Sequence, residues 1–233
     1  MEFETNVEEI IKRTHNVSSF RFPRPKSFDY KAGQFIFITI KIGNEEARKH
    51  FTLSSSPTEK GFVEFTKKFT GHTFSNALES LEVGDWVKIY GPYGNFTFEK
   101  GEYEKIGMFS GGIGITPLRS ICRYCADMRL DTGITLLYGN RTEKDIVFRR
   151  ELEEMQKQNE NLKVVFTLNE ADKGWTGYTG RITTDIISKE MPDYKERVCY
   201  ICGPPAMLKA MKEMLEDLDV PKENVKTEYF SGY

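Results

Sequence analysis

Two segments in the second half of the sequence could bind the phosphate groups of a ligand. The first spans residues 110–117, reads SGGIGITP and contains Gly111, Gly112, Gly114 and Thr116. It lies between a predicted strand and a predicted helix, where glycines let the backbone approach a pyrophosphate and free N–H groups at the helix start attract the anion. A simple tight turn between a strand and a helix would have the same composition.

The second segment, residues 202–207, also lies between a predicted strand and a predicted helix, and it begins with Cys202, Gly203 and Pro204. Ligands of open parallel sheets gather at the carboxyl ends of the strands, so both segments could line one crevice. Cys202 would then project near that crevice, or else it is an inert buried thiol.

Further candidates lie in the first half of the sequence, where KHFTLSSSP begins at Lys49. Strand alternation puts Lys49 and Phe51 on one face. A cation for phosphate and a ring for stacking would suit a flat, phosphate-bearing cofactor. The stretch GHTFSNAL, which begins at Gly71, places the hydroxyls of Thr73 and Ser75 at a predicted helix start. Those hydroxyls could equally serve only as N-caps.

The four cysteines form two C-x-x-C pairs, a spacing that zinc and iron–sulfur sites also use. Cys122 and Cys125 lie in a helical pattern and share a face, whereas Cys199 and Cys202 lie in a strand pattern and point to opposite faces. A chelating pair needs both thiolates on one side, so we expect buried thiols in a reducing cytoplasm and no metal. The three histidines, which also lack metal-ligand spacing, are His15, His50 and His72.

Two kinds of element must position these candidates. The first hundred residues favour short strands with one helix near 73–81; the strands are predicted at 4–13, 17–22, 34–41, 62–69 and 86–90. Beyond Gly101, predicted strands at 105–109, 134–138, 162–167, 197–201 and 224–230 alternate with predicted helices at 117–128, 145–158, 183–188 and 205–218. The prediction is a β-barrel or sandwich over residues 1–101 and a parallel α/β sheet over residues 102–233.

Composition excludes several classes of protein. The 233 residues are 39% hydrophobic and 29% charged, which suits one large or two small globular domains rather than disorder. No apolar run approaches the roughly 18 residues of a spanning helix, and the acidic start lacks a secretory signal. A net charge of -2 argues against nucleic acid as a partner. We therefore expect a cytoplasmic chain without a transmembrane segment.

Together these segments resemble the ferredoxin–NADP(+) reductase superfamily, and the nicotinamide half is most similar to its cytochrome b5 reductase branch. The motifs follow the family order: AGQF at 32–35 with Ala in place of Pro, FT at 51–52, GPYGNF at 91–96, GGIGITP at 111–117, CGP at 202–204 and EYF at 228–230. Each motif is modest alone, and six in order are specific. The resemblance implies an antiparallel flavin-binding barrel followed by a Rossmann-like NAD(P)-binding domain.

The resemblance also implies roles for residues of the first domain. Phe51 would stack on the isoalloxazine of FAD, Thr52 would approach flavin N5, and Lys49 would hold the pyrophosphate. The family has Arg at that last position, so a bidentate contact becomes a point charge, which the adjacent Arg48 could supplement. FMN stays open as the cofactor. The implied flavin-binding residues are Lys49, Phe51, Thr52, Leu53, Ser54, Gly71, Thr73 and Ser75.

In the second domain the resemblance implies a nicotinamide pocket. Hydride transfer needs nicotinamide C4 at about 3–3.5 Å from flavin N5 and little side-chain chemistry beyond positioning. The implied catalytic residues are Thr52, Cys202, Glu228 and Phe230. The implied nucleotide-binding residues are Gly111, Gly112, Gly114, Thr116, Cys202, Gly203, Pro204 and Phe230, with Phe230 over the flavin. Two further candidates for nucleotide binding are Arg141, which could reach a phosphate, and Tyr233, which could lie on the adenine or stay free.

We expect an FAD-dependent NAD(P)H reductase that passes electrons to a protein acceptor such as ferredoxin, an oxygenase or a cytochrome. The alternatives are an electron-transfer subunit without independent activity and a nucleotide-binding module without redox chemistry. NADH is the expected donor, because Glu170 would repel a ribose 2′-phosphate and the surrounding sequence resembles the NADH-using branch. Arg141 and Arg181 argue the other way, since either could pair with that phosphate.

Overall fold

The structure of the chain, a computed structural model, describes residues 1–229. Short runs of β-branched and aromatic residues form the strands of its first half. Its elements are β1 (Glu2–Asn6), β2 (Glu9–Thr14), β3 (Val17–Pro23), β4 (Phe35–Ile42), β5 (Glu45–Thr52), β6 (Phe62–Lys68), α1 (Thr73–Glu79) and β7 (Trp86–Tyr93). The strands form two antiparallel sheets, in the orders β1-β7-β4-β5 and β2-β3-β6. A bridge between Leu53 and Phe65 joins β5 to β6.

The predicted strand at 4–13 is two strands. The N–H of Val7 bonds to Asp85 beside the first sheet, and the N–H of Glu8 bonds to Arg21 in the second, so the chain changes sheet at this point. The barrel predicted over this half is confirmed, and its apolar core lies between the two sheets.

The register of β4 and β5 decides which side chains of the KHFT segment share a face. Ile36 pairs with Phe51 and Ile38 pairs with Lys49, and both isoleucines are fully buried in the barrel core. Lys49 and Phe51 therefore share one face, as predicted.

The second half alternates strands and helices. Its elements are β8 (Lys105–Gly111), α2 (Ile115–Asp127), β9 (Gly133–Asn140), α3 (Arg149–Gln158), β10 (Leu162–Leu168), β11 (Tyr178–Thr179), α4 (Thr184–Glu190), β12 (Val198–Gly203), α5 (Pro205–Asp217) and β13 (Val225–Tyr229). The strands pair in parallel in the order β11-β10-β9-β8-β12-β13, so the predicted parallel sheet is confirmed. The order reverses on either side of β8, where ligands of such sheets bind.

In the second half, the structure differs from the prediction most clearly at one helix start and one short strand. The helix predicted at 145–158 begins only at Arg149, because Thr142 and Asp145 close a capping box around a separate 3₁₀ turn. Phe148 then takes a left-handed backbone conformation with φ 60°, which a helix interior does not allow. The two-residue strand β11 was not predicted.

Separate apolar clusters lie on the two faces of the parallel sheet, and one cluster extends into the first half. Cys202 belongs to the cluster beneath α2 and α3, whereas Cys199 belongs to the cluster beneath α4 and α5, so the predicted opposite orientation is confirmed. Val17, Ala32 and Phe98 of the first half pack into the cluster of Cys202. Within residues 1–229 no helix is long and apolar enough to cross a membrane.

Candidate functional site

A cleft of about 690 Å³ opens at the carboxyl ends of the parallel strands. Gly111 at the end of β8 and Gly112 directly after it line the cleft, and the loop after β12 contributes Pro204. The two segments selected from the sequence therefore line one cleft. His15 and Lys68 line it from the first half of the chain, although the sequence analysis did not select them for this site.

Gly114 and Thr116 shape the loop after β8 rather than lining this cleft. A Cβ atom at position 114 would stand 2.3 Å from the carbonyl oxygen of Cys202, so only glycine lets the two loops touch backbone to backbone. The hydroxyl of Thr116 is buried and donates to the carbonyl of Ile113 at 3.4 Å. Gly203 ends β12 beside this contact.

Three buried side chains near the strand ends have no hydrogen-bond partner among residues 1–229. They are Ser110 on β8, Asn140 at the end of β9 and Thr167 on β10. Leaving a buried hydroxyl unpaired costs about 1–3 kcal/mol, so such groups suit a polar ligand. Thr167 lines the cleft together with Asn140 at the end of β9. For Asn140 and Thr167 the signal available in the sequence was a polar residue at or near the carboxyl end of an otherwise apolar strand.

One end of the cleft carries charge. The Nε of Arg141 donates to Oε1 of Glu170 at 2.9 Å, so the guanidinium faces a carboxylate. Arg181 lines the same cleft and has no ion pair within the described part of the chain. The positive charge of Arg141 is therefore largely offset, whereas that of Arg181 is not.

Phe51 brings the KHFT strand and helix α1 together. Its half-buried ring stacks on Phe65 at 4.7 Å between centroids and lies 6.0 Å from Phe74 of α1. Helix α1 begins after His72 without a side-chain cap, so neither Thr73 nor Ser75 caps it. Instead the Oγ of Ser75 accepts a hydrogen bond from the N–H of Thr70.

Open space surrounds two other residues of this region. Gly71 has φ 77° with nothing within 4 Å of a Cβ position, and Lys49 is exposed without an ion pair among residues 1–229.

Two of the residues expected to bind the flavin have side chains that are packed or hydrogen-bonded inside the barrel. Leu53 lies fully buried in the barrel core. The Oγ of Ser54 donates to Oε1 of buried Glu64 at 2.8 Å. Any contact between these two residues and a cofactor runs through their backbone.

The two halves of the chain meet chemically at Thr52 and Glu228. The hydroxyl of Thr52 donates to Oε1 of Glu228 at 3.3 Å, and Oε2 of Glu228 is buried without a partner among the described residues. Burial raises the pKa of Glu228 to about 7, although the bond from Thr52 opposes that shift. Glu228 also lines a second cavity of about 640 Å³, with Phe35 and His50 of the barrel. A carboxyl with such a pKa can hold or release a proton near neutral pH.

Cys202 is fully enclosed. Burial, reinforced by the charge of Glu228, raises the pKa of its thiol well above the usual value, so the thiol stays protonated and is no nucleophile. The two remaining expected site residues, Phe230 and Tyr233, lie outside residues 1–229.

Two family models match the chain. The model of the oxidoreductase FAD-binding domain matches residues 4–98, and that of the oxidoreductase NAD-binding domain matches residues 108–213. NADH-cytochrome b5 reductase 1 of Dictyostelium discoideum is 33% identical over 91% of this chain and 77% of its own length. The glycine betaine monooxygenase reductase subunit of Chromohalobacter salexigens is 32% identical over 89% of this chain, which spans 58% of that subunit.

Solved structures agree with these relatives. The cytochrome b5 reductase domain of Ulva prolifera nitrate reductase superposes with a TM-score of 0.87 and 28% identity, over 98% of this chain and 97% of that domain. A ferredoxin reductase in carbazole 1,9a-dioxygenase superposes with a TM-score of 0.85 and 26% identity, over 99% of this chain and 70% of its own. The chain thus belongs to the ferredoxin–NADP(+) reductase superfamily, in its cytochrome b5 reductase branch, and is an FAD- and NAD(P)-dependent oxidoreductase.

Proposed function

We propose that this chain oxidises NADH through bound FAD and delivers the electrons one at a time to a protein acceptor, a cytochrome or an oxygenase component. The contact between Thr52 and Glu228 carries the proposal, because it joins the KHFT strand of the FAD-binding domain to the last described strand of the NAD-binding domain. Bound FAD would supply the centre that takes a hydride from nicotinamide and returns single electrons.

The residues present fit a flavin ring beside the Thr52–Glu228 contact. Phe51 offers a half-buried ring face, the hydroxyl of Thr52 offers a donor, and Oε2 of Glu228 is an unpartnered buried acceptor. Exposed Lys49 would neutralise the pyrophosphate of the cofactor, next to the open backbone at Gly71. In this arrangement Phe51 orients the ring, and Glu228 holds or moves a proton at its carboxyl.

The parallel-sheet cleft would hold the dinucleotide. Gly111 and Gly112 offer backbone N–H groups for its pyrophosphate, and Thr167 and Asn140 offer polar groups to its ribose. We place the division between the two domains at residues 101 and 102. The four cysteines are free thiols, which supports a cytoplasmic location.

Glu170 supports NADH over NADPH as the donor. Its carboxylate lies in the cleft and engages Arg141, so a ribose 2′-phosphate beside it would meet a negative charge and a cation that is already paired. Arg181, which lines the same cleft without an ion pair among residues 1–229, opposes this preference. We expect Glu170→Gln to raise kcat/KM for NADPH relative to NADH by about tenfold, or 1.4 kcal/mol. Asp172→Asn, which neutralises an exposed acid nearby in the sequence, is the matched control. If the ratio of kcat/KM for NADPH to that for NADH is unchanged in Glu170→Gln, Glu170 does not set the preference between the two nucleotides.

An absorbance spectrum followed by an anaerobic NADH titration tests the main proposal. The purified chain is expected to bind FAD and to lose the absorbance of oxidised flavin on addition of NADH. Failure to bleach with FAD bound would contradict the proposal and leave a nucleotide-binding module.

Turnover with an artificial one-electron acceptor then separates a free-standing reductase from a subunit. The subunit alternative is favoured by the likeness to a monooxygenase reductase subunit, and it predicts fast flavin reduction with little turnover until the partner protein is added.

A further inference from the structure

A cluster of ion pairs that includes the buried side chains of Glu64 and Arg119 joins the two domains. It contains three guanidinium groups and three carboxylates, contributed by Arg13, Arg21, Glu59 and Glu64 of the FAD-binding domain and Arg119 and Glu151 of the NAD-binding domain. Arg21 also pairs with exposed Glu9, and Arg119 is only 3% exposed. A buried ion pair adds little net stability by itself, but its directional bonds specify one arrangement of its partners.

Glu151 is shared between the domains. Its Oε1 accepts from Arg13 at 2.6 Å and its Oε2 accepts from Arg119 at 2.6 Å. Burial alone would raise the pKa of the Glu151 carboxyl, but the two guanidinium groups outweigh burial and hold that pKa below its usual value. The ring of Phe148 packs against both guanidinium groups, at 4.8 Å from Arg13 and 5.5 Å from Arg119.

Two hydrogen bonds from α2 reach the FAD-binding domain next to the KHFT segment. Nη1 of Arg119 donates to the carbonyl of Ser54 at 2.9 Å, and the Oγ of Ser120 donates to the carbonyl of Ser55 at 2.6 Å. Ser54 is two residues beyond Thr52, and Arg119 is five residues beyond Gly114, which lies in the glycine-rich loop between β8 and α2. Few backbone bonds therefore separate each end of this contact from the flavin site and from the nicotinamide site.

We propose that Arg119 and Ser120 are positioning residues that set the approach of nicotinamide C4 to flavin N5. They do so by anchoring α2, the helix that follows the glycine-rich loop, to the segment directly after the strand of Thr52. The inference rests on the proposed function. The step that they would position is the transfer of one hydride, with both its electrons, from nicotinamide C4 to flavin N5, so that the C4–H bond breaks as the N5–H bond forms. Rates of such steps are steep in geometry, since a displacement of about 1 Å can cost a hundredfold.

The test compares Ser120→Ala and Arg119→Lys with wild type in stopped-flow reduction of the FAD-loaded chain by NADH. Ser120→Ala removes one bond, whereas Arg119→Lys keeps the charge and loses the fork of donors. The matched controls are Ser188→Ala, at an exposed helical serine, and Arg150→Lys, at an exposed arginine that pairs within its own helix.

We expect the limiting rate of flavin reduction to fall by about tenfold to a hundredfold in both variants, with the Kd for NADH changed less than about threefold. The controls should match wild type. A limiting rate within about fivefold of wild type in folded, FAD-loaded Ser120→Ala overturns the inference, even if Arg119→Lys fails to fold.

A second measurement does not depend on activity. Each domain carries one tryptophan, Trp86 on β7 and Trp175 after β10, so single-tryptophan backgrounds follow the thermal unfolding of each domain separately. The two transitions should coincide in the wild-type background and separate in Ser120→Ala and Arg119→Lys. Coincident transitions in both variants count against the inference. If wild-type FAD is not reduced by NADH, the proposed function fails, and the unfolding transitions still report whether these residues join the domains.

Discussion

At the scale of single residues, Phe51 shows how one side chain connects sequence to cofactor. Strand alternation put it on the face of Lys49, and the β4–β5 register confirms that face. Its ring also lies beside Phe74, so it links the two segments that the family resemblance assigns to FAD.

Phe51→Ala is expected to weaken FAD binding by about tenfold, or about 1.4 kcal/mol, because it removes an aromatic stacking face. Fluorescence titration of the flavin-free chain measures this Kd. Phe3→Ala is the control, since it removes another partly buried ring, which contacts Phe28 in the same domain. Equal FAD affinity in Phe51→Ala and wild type would remove Phe51 from the flavin site.

At the scale of elements, the glycine loop between β8 and α2 depends on its contact with the end of β12. The 2.3 Å separation from a Cβ at position 114 to the Cys202 oxygen leaves no room for a methyl group between two backbones. The loop after β8 therefore keeps its place in the cleft only while residue 114 is glycine.

Gly114→Ala is expected to destabilise the chain by about 1–3 kcal/mol, the usual cost of overpacking, and to weaken NADH binding as the loop shifts. Urea unfolding and an NADH titration measure the two effects. Gly133→Ala is the control, because its Cβ would meet its nearest neighbour at an ordinary 3.8 Å. A Gly114→Ala variant as stable as Gly133→Ala would show that the loop adjusts freely.

At the scale of the whole molecule, Glu228 at the junction of the domains has a higher pKa in the folded chain than in the unfolded chain. Glu228 has a pKa of about 7 when folded, against 4.5 as its ordinary value. Between these pH values the folded chain binds more protons than the unfolded chain at this group, so its contribution to stability falls as pH rises from about 4.5 to 7.

Glu228→Gln removes this titration. Relative to the variant, wild type should lose on the order of 2–3 kcal/mol of unfolding free energy between pH 5 and pH 8, since one pKa unit corresponds to about 1.4 kcal/mol. Urea unfolding at both pH values measures the difference. Glu223→Gln, at an exposed acid, should follow the wild-type profile. Parallel profiles for Glu228→Gln and wild type would contradict the raised pKa.

Local patterns in the sequence were enough for the order of most elements, although they merged β1 with β2 and missed β11. They were also enough for the faces of Lys49, Phe51, Cys199 and Cys202. These properties depend on near neighbours, because strand and helix periods act over a few residues. The six motifs in order also identified the family, which the comparisons confirm.

Only the tertiary structure decided which distant residues meet. Thr52 and Glu228 are 176 positions apart, and Arg119 reaches a carbonyl 65 positions away. An arginine in a helix ordinarily faces solvent, so the position of Arg119 in the sequence gave no sign that it is buried between the domains. Such partners are determined only when the two domains pack together, because a charge that becomes buried at their interface is costly unless it is paired.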